Sequence, residues 1–259
     1  MNEKINHLRR QIDVFNTIEF TAIGHTYTIN GNAARSVTEL LNAYVKPFES
    51  EYWAKRKAAE LNLEVEEILK RWEFNAKLSK TKGSLVHSFI ESIFCAYDFD
   101  YPEHVILNEF GYDPIQDAFN QITLQVHKFM ADIQDKMFPV ATEFVIGDPE
   151  YLVCGTIDQL FYNQKSDKLE IWDWKTNKEI KTTSRYYHLA PLNHIPDTEL
   201  DHYSLQLSLY KLILEKNTGL ELGNSYLTWF NENTAQYQIF RTKDYSVEAQ
   251  LILRTCSTQ

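Results

Sequence analysis

The chain has 259 residues, a net charge of −10, 24% charged and 14% aromatic residues, enough to bury one full core with an appendage and too apolar to stay disordered. The charge argues against a protein that coats nucleic acid, but not against a single groove in which a bound cation reverses the local sign. Three scattered cysteines (Cys95, Cys154, Cys256) form no Cys-x-x-Cys pair, which excludes a disulfide framework, zinc ribbon or iron–sulfur site; with no signal peptide or bilayer-length apolar run, a cytoplasmic protein without a membrane partner is expected.

Residues 1–16 place Leu8, Ile12 and Phe15 at helical spacing and predict a frayed leading helix. Ile18–Thr21 and His25–Ile29 alternate like short strands before the turn signal Asn30-Gly31. Ser36-Val-Thr-Glu39 reads as a capping box for a helix that Pro47 ends. Residues 50–79 predict one or two helices with Trp53, Ala58, Leu61, Ile68, Leu69 and Trp72 as core. Lys77, Lys80 and Lys82 then lead into Gly83, where a new helix is expected to start, with His87 in its first turn and Glu91 one turn further along the same face. The acidic stretch 98–117 reads as an exposed connection, and Asp113-Pro114 as the start of a long amphipathic helix to Met137.

After Pro139 the period changes to that of strands. Ala141–Ile146 contains Glu143, Tyr151–Tyr162 contains Gly155-Thr-Ile-Asp158, and Leu169–Lys175 ends in Asp173-Trp174-Lys175, with Asn163–Asp167 as a hairpin turn. Residues two apart on a strand share a face, so Asp173 and Lys175 project together. Folding the hairpin about residue 165 sets Asp158 opposite Asp173, where two carboxylates repel unless a cation lies between them. An acid-x-Lys triplet alone says little, since two occur and the other, Glu179-Ile-Lys181, lies in a polar stretch; the order of the surrounding segments carries the reading. Lys178, Lys181 and Arg185 follow in a loop whose His188, His194 and His202 have no zinc-ligand spacing. A helix opening at Asp197 or Thr198 is apolar nearly all round, apart from a stripe of Tyr203, Gln206 and Tyr210. Gly219 ends it; strands at Ser225–Phe230 and Gln236–Arg241 and a helix from about Tyr245 to Leu253 complete the chain.

Gly83…His87, Gly155…Asp158, Asp173-Trp-Lys175 and Gln206…Tyr210, in that order, resemble the PD-(D/E)XK nuclease superfamily, in the branch of the RecB nuclease domain and phage-type and CRISPR-associated exonucleases. The resemblance covers about residues 81–241. It implies an α/β restriction-endonuclease-like core, a central mixed sheet flanked by helices, over residues 81–259, with residues 1–80 as an N-terminal β-hairpin and helical extension packed on it. It implies a metal-dependent deoxyribonuclease acting on DNA ends or single strands in recombination, repair or replication, with a helicase or recombination protein as a possible partner. His87, Asp158, Asp173 and the Trp174 carbonyl would hold Mg²⁺ or Mn²⁺, with Lys175 acting on the attacking water and the phosphate. Gln206 and Tyr210 would support Lys175 or touch DNA. Independently of the resemblance, Lys77, Lys80, Lys82, Lys178, Lys181 and Arg185 flank the two site-forming segments and are candidate contacts to a nucleic-acid backbone. Glu91 and Glu143 stand second, each able to act through water. Relatives that carry four cluster-binding cysteines differ from this chain, so no iron–sulfur cluster is expected. The alternatives are a non-cleaving nucleic-acid-binding subunit and a structure-specific endonuclease.

Overall fold

Eight strands join in one mixed sheet among the residues that the computed structural model describes, 1–22, 24 and 26–256. The chain opens with α1 (Asn2–Ile12), whose Ile5, Leu8 and Ile12 form one buried stripe, and a 3-10 turn that buries Phe15. β1 (Ile18–Thr21) pairs antiparallel with β2 (Thr26–Ile29); His25, expected to begin that strand, lies outside the described residues. Asn30 and Gly31 both take positive φ and turn the chain into β3 (Asn32–Ser36), as an Asn-Gly hairpin requires. Ser36 Oγ then accepts the Glu39 amide and caps α2 (Val37–Asn42).

α3 (Ser50–Leu61) and α4 (Val65–Cys95) form a helical hairpin that buries Ala54, Ala58 and Ile68. Trp53 and Leu61, expected in the core, are exposed, because the small alanines form the contacting stripe. The helix expected to start at Gly83 does not: α4 runs unbroken through Lys82, Gly83 and His87 and crosses the expected boundary at residue 80. His87 therefore has no helix N-terminus beside it. Nor is 98–117 a bare connection. It holds α5 (Glu103–Phe110) and buries Ile106 and Ile115, while Asp113 Oδ1 accepts the amides of Ile115 and Gln116 at the start of α6 (Gln116–Ile133).

β4 (Met137–Asp148), β5 (Val153–Asn163) and β6 (Lys168–Lys175) form an antiparallel meander. α7 (Glu199–Thr218) crosses over to β7 (Leu222–Trp229), parallel to β6, before the antiparallel β8 (Gln238–Arg241) and α8 (Ser246–Cys256). Thr198 caps α7, as expected. One core packs α1, α2, α7 and α8 on the sheet, and a second packs α4, α5 and α6 on its other face. β6 serves both cores by strict alternation: Leu169 and Ile171 enter the first, and Trp172 and Trp174 enter the second. Asp173 and Lys175 have the parity of Ile171.

β4 follows β5 along one edge from Asp148↔Val153 to Met137↔Asn163. The other edge of β5 is divided. β3 pairs with Val153 and Cys154, and β6 pairs only from Gln159 onward, so residues 155–158 lie in a split between two strands. A split of this kind lets helices from both layers reach the middle of a sheet.

Candidate active site

Glu143, Asp158 and Asp173 lie at one level of three adjacent strands. Thr142 and Phe144 face Gln159 and Ile157, which brings Glu143 level with Asp158; the last β5–β6 pair, Gln159↔Trp172, brings Asp173 level with it on the other side. Glu143 takes the left-handed φ of 44°, which costs a side-chain-bearing residue about 1–2 kcal/mol. Asp158 sits in the split and its Oδ2 accepts the Trp174 amide at 2.7 Å, in place of a strand partner.

His87 enters from α4. Its Nε2 lies 3.0 Å from the Trp174 carbonyl, which can only accept, so Nε2 carries the hydrogen and Nδ1 faces the carboxylates, 3.5 Å from Glu143 and 3.6 Å from Asp158. Trp174 is 1% exposed and packs against Phe129 and Phe230, so the backbone that meets both His87 and Asp158 is anchored by its side chain in the second core. Burial works against an imidazolium here, yet Asp158 and Glu143 outweigh it and raise His87 to about 9. Burial likewise pushes Asp158 upward against the attraction of His87 and Lys175.

Lys175 Nζ stands 2.6 Å from Asp173 Oδ2 and 4.4 Å from the Tyr203 ring centre. Burial disfavours its charge, but Asp173 and Asp158 hold it well above the ordinary lysine range, so it is a cation at any working pH. Asp173 Oδ2 is buried, with the Lys175 ammonium as its partner. Glu143, Asp158 and His87 present ligand atoms within 4.8 Å of one another, a donor set that fits a hard divalent cation.

Gly155 supplies a close approach, since a Cβ there would sit 2.3 Å from the Tyr210 ring. Gln206 donates to the Tyr210 hydroxyl at 2.9 Å, and both line a cleft of about 720 Å³ with His87, Glu91, Glu143 and Asp158. The expected stripe on α7 thus faces the acids, but it is Tyr203, named in that stripe and not as a site residue, that covers Lys175; Asn177 donates to its hydroxyl. Sequence spacing could have found Tyr203, one turn before Gln206; nothing local marks Asn177. Glu143, expected to act only in support, joins the site directly and lies as far before Asp158 in the chain as Asp173 lies after it.

The basic residues disperse. Lys82 is bound 2.6 Å from Glu232, and Lys181 pairs with Glu179 and Glu199. Lys178 and Lys80 line a cleft with Thr176 and Asn177, and Arg185 lines another with Tyr203. Lys77 is turned to Glu109.

A family model described as the PD-(D/E)XK nuclease superfamily matches residues 53–255. Among curated proteins none matches the chain in sequence. Among solved structures, a protein of Eubacterium rectale named as a candidate exonuclease aligns at 16% identity over 69% of this chain, with a TM-score of 0.39; the chain covers 64% of that protein's length. The structure of SSO0001 aligns at 12% identity over 67% of this chain and 83% of its own, with a TM-score of 0.31.

Proposed function

The chain belongs to the PD-(D/E)XK nuclease superfamily, and its mixed sheet flanked by helices is that restriction-endonuclease-like core; from this premise we propose that it hydrolyses DNA phosphodiester bonds at ends or in single strands, with Mg²⁺ or Mn²⁺ held by Glu143, Asp158, Asp173 and His87. The observation that carries this is the meeting of three acids from adjacent strands, one imidazole and one lysine where the sheet splits. A divalent cation bound there lowers the pKa of a coordinated water and neutralises phosphate charge.

The residues divide the work by their surroundings. His87 is held by its Nε2–H on the Trp174 carbonyl, so its Nδ1 offers a lone pair to a cation once deprotonated. Lys175, kept cationic by Asp173 and Asp158, acts as a fixed positive charge for the water and the developing phosphorane oxygens rather than as a base. Tyr203 and Asp173 fix the ammonium on two sides. Lys80, Lys178 and Arg185 serve the DNA backbone on the flanks. A role in recombination, repair or replication follows from such end processing.

The test digests end-labelled linear single- and double-stranded DNA beside a closed circle, with Mg²⁺, Mn²⁺ or EDTA. Loss of the linear substrates alone is expected, dependent on metal and reduced at least about a hundredfold in a folded Lys175→Ala variant. Undiminished cleavage by that variant rejects the site. Cutting of the circle makes the protein an endonuclease, and tight DNA binding without cleavage makes it a binding subunit.

A further inference from the structure

The two sides of the acids differ in their unpaired cations, although the clefts beyond β6 also carry Glu179, Glu199, Glu232 and Asp197. On one side, beyond the end of β6, the cleft lined by Thr176 and Asn177 holds Lys80 and Lys178, and the cleft lined by Tyr203 holds Arg185. These three cations have no carboxylate partner among the described residues. On the other side, the cleft shared by His87, Glu143 and Asp158 is lined by no lysine or arginine among the described residues. It carries instead hydroxyls, from Ser36, Thr38, Ser84 and Ser88, and aromatic rings from the N-terminal hairpin.

Those rings are built into the site. Tyr27 is 3% exposed, and its hydroxyl hydrogen-bonds Thr156 Oγ1 at 3.0 Å, on the strand that carries Asp158 two residues on. Phe20, its cross-strand partner, packs on it with ring centres 4.9 Å apart, is 39% exposed and lines the cleft. The family match begins at residue 53, after this hairpin.

A strand that continued in both directions would place phosphates on both sides of the acids, and each needs a cation or a solvated path. A terminal nucleoside needs neither: it needs a ring to stack on and polar groups for its sugar and base edges. We propose that the cleft between the β1–β2 hairpin, α4 and α7 is a pocket for the terminal nucleoside of an unpaired strand, with Phe20 as the platform on which its base stacks. The inference rests on the hydrolytic reading above and deepens it: the hairpin makes the enzyme end-directed by giving the last base a seat and any further phosphate none.

The experiment uses the full chain with Ca²⁺ in place of Mg²⁺ and a single-stranded oligonucleotide carrying 2-aminopurine at its 5′ end, its 3′ end or its middle. Fluorescence reports stacking, and anisotropy reports binding. The expected result is quenching at one end only, lost in Phe20→Ala together with about tenfold in affinity, and kept in Phe20→Trp. Equal quenching of end and middle labels, quenching that persists in Phe20→Ala, or binding with no quenching overturns the pocket. Absence of binding overturns the pocket and the DNA substrate together. End-selective, Phe20-dependent quenching in a protein that never cleaves in Mg²⁺ or Mn²⁺ upholds the pocket and sinks hydrolysis; cleavage of linear strands without such quenching does the reverse.

Discussion

Fifteen residues separate Glu143 from Asp158, and fifteen separate Asp158 from Asp173. In an antiparallel meander such equal spacing is what places three side chains at one level, and the register does so. The second interval was legible because a turn signal marks its centre; the first was not, because the Asp148-Pro149 signal comes just before the turn at 149–152, whose centre lies midway between the two acids. The placement carries a prediction independent of activity. Saturating Mn²⁺ should raise the Tm of the wild type through binding to the native state alone. In Glu143→Gln the apparent Mn²⁺ affinity from that shift should fall about tenfold or more, while Glu91→Gln, which changes a carboxylate outside the triad of ligand atoms, should retain it. Equal loss in both variants would place the cation elsewhere in the cleft.

α4 shows how a local signal gives the wrong element boundary. Gly83 after three lysines reads as a stop, yet the helix continues because Leu85, Val86 and Ile90 beyond it bury into the second core, and this burial exceeds the roughly 1 kcal/mol that an internal glycine costs. A Cβ at Gly83 would lie 3.5 Å from Thr176 Oγ1, an ordinary contact. Gly83→Ala should therefore stabilise the protein by about 0.5–1 kcal/mol, read as a higher denaturant midpoint at unchanged slope. α7 is tied differently. Its buried Asp201 accepts from Thr198, Lys243 and Tyr245, linking the helix start to the segment before α8. Burial disfavours the charge, but these three donors outweigh it and lower the carboxyl below its ordinary value. The folded protein thus keeps Asp201 ionised to lower pH than the unfolded chain does. Its stabilisation is complete above the unfolded carboxylate range, near pH 4, and is lost as pH falls through the folded value. The stability gap between wild type and Asp201→Asn should be widest at neutral pH and narrow in acid; a gap independent of pH would assign it to packing.

At the scale of the whole molecule, the charge of −10 and the proposed DNA substrate are reconciled by position. Most basic residues near the site are already paired with acids, and those unpaired in the flanking clefts are Lys80, Lys178 and Arg185. Binding should then release few counterions. For single-stranded DNA, three phosphate contacts predict a slope of about −2 in log K against log salt. A slope several times steeper, measured by anisotropy across a salt series, would mean that the strand follows a different and broader basic surface. No described helix is long and apolar enough to cross a membrane.

The sequence by itself determined the meander, the buried α7, the placing of Asp158 level with Asp173, and the motif order that belongs to the superfamily, because each rests on periodicity or on a turn at fixed spacing. Only the tertiary structure decided the rest. The exposure of Trp53, the unbroken α4, the burial of Ile106 and Ile115, and the choice of Tyr203 over Gln206 beside Lys175 all depend on which surfaces meet. So does the split in β5, since β3 precedes the meander by five helices while β6 ends it, and neither records in its own residues that it will share one edge with the other.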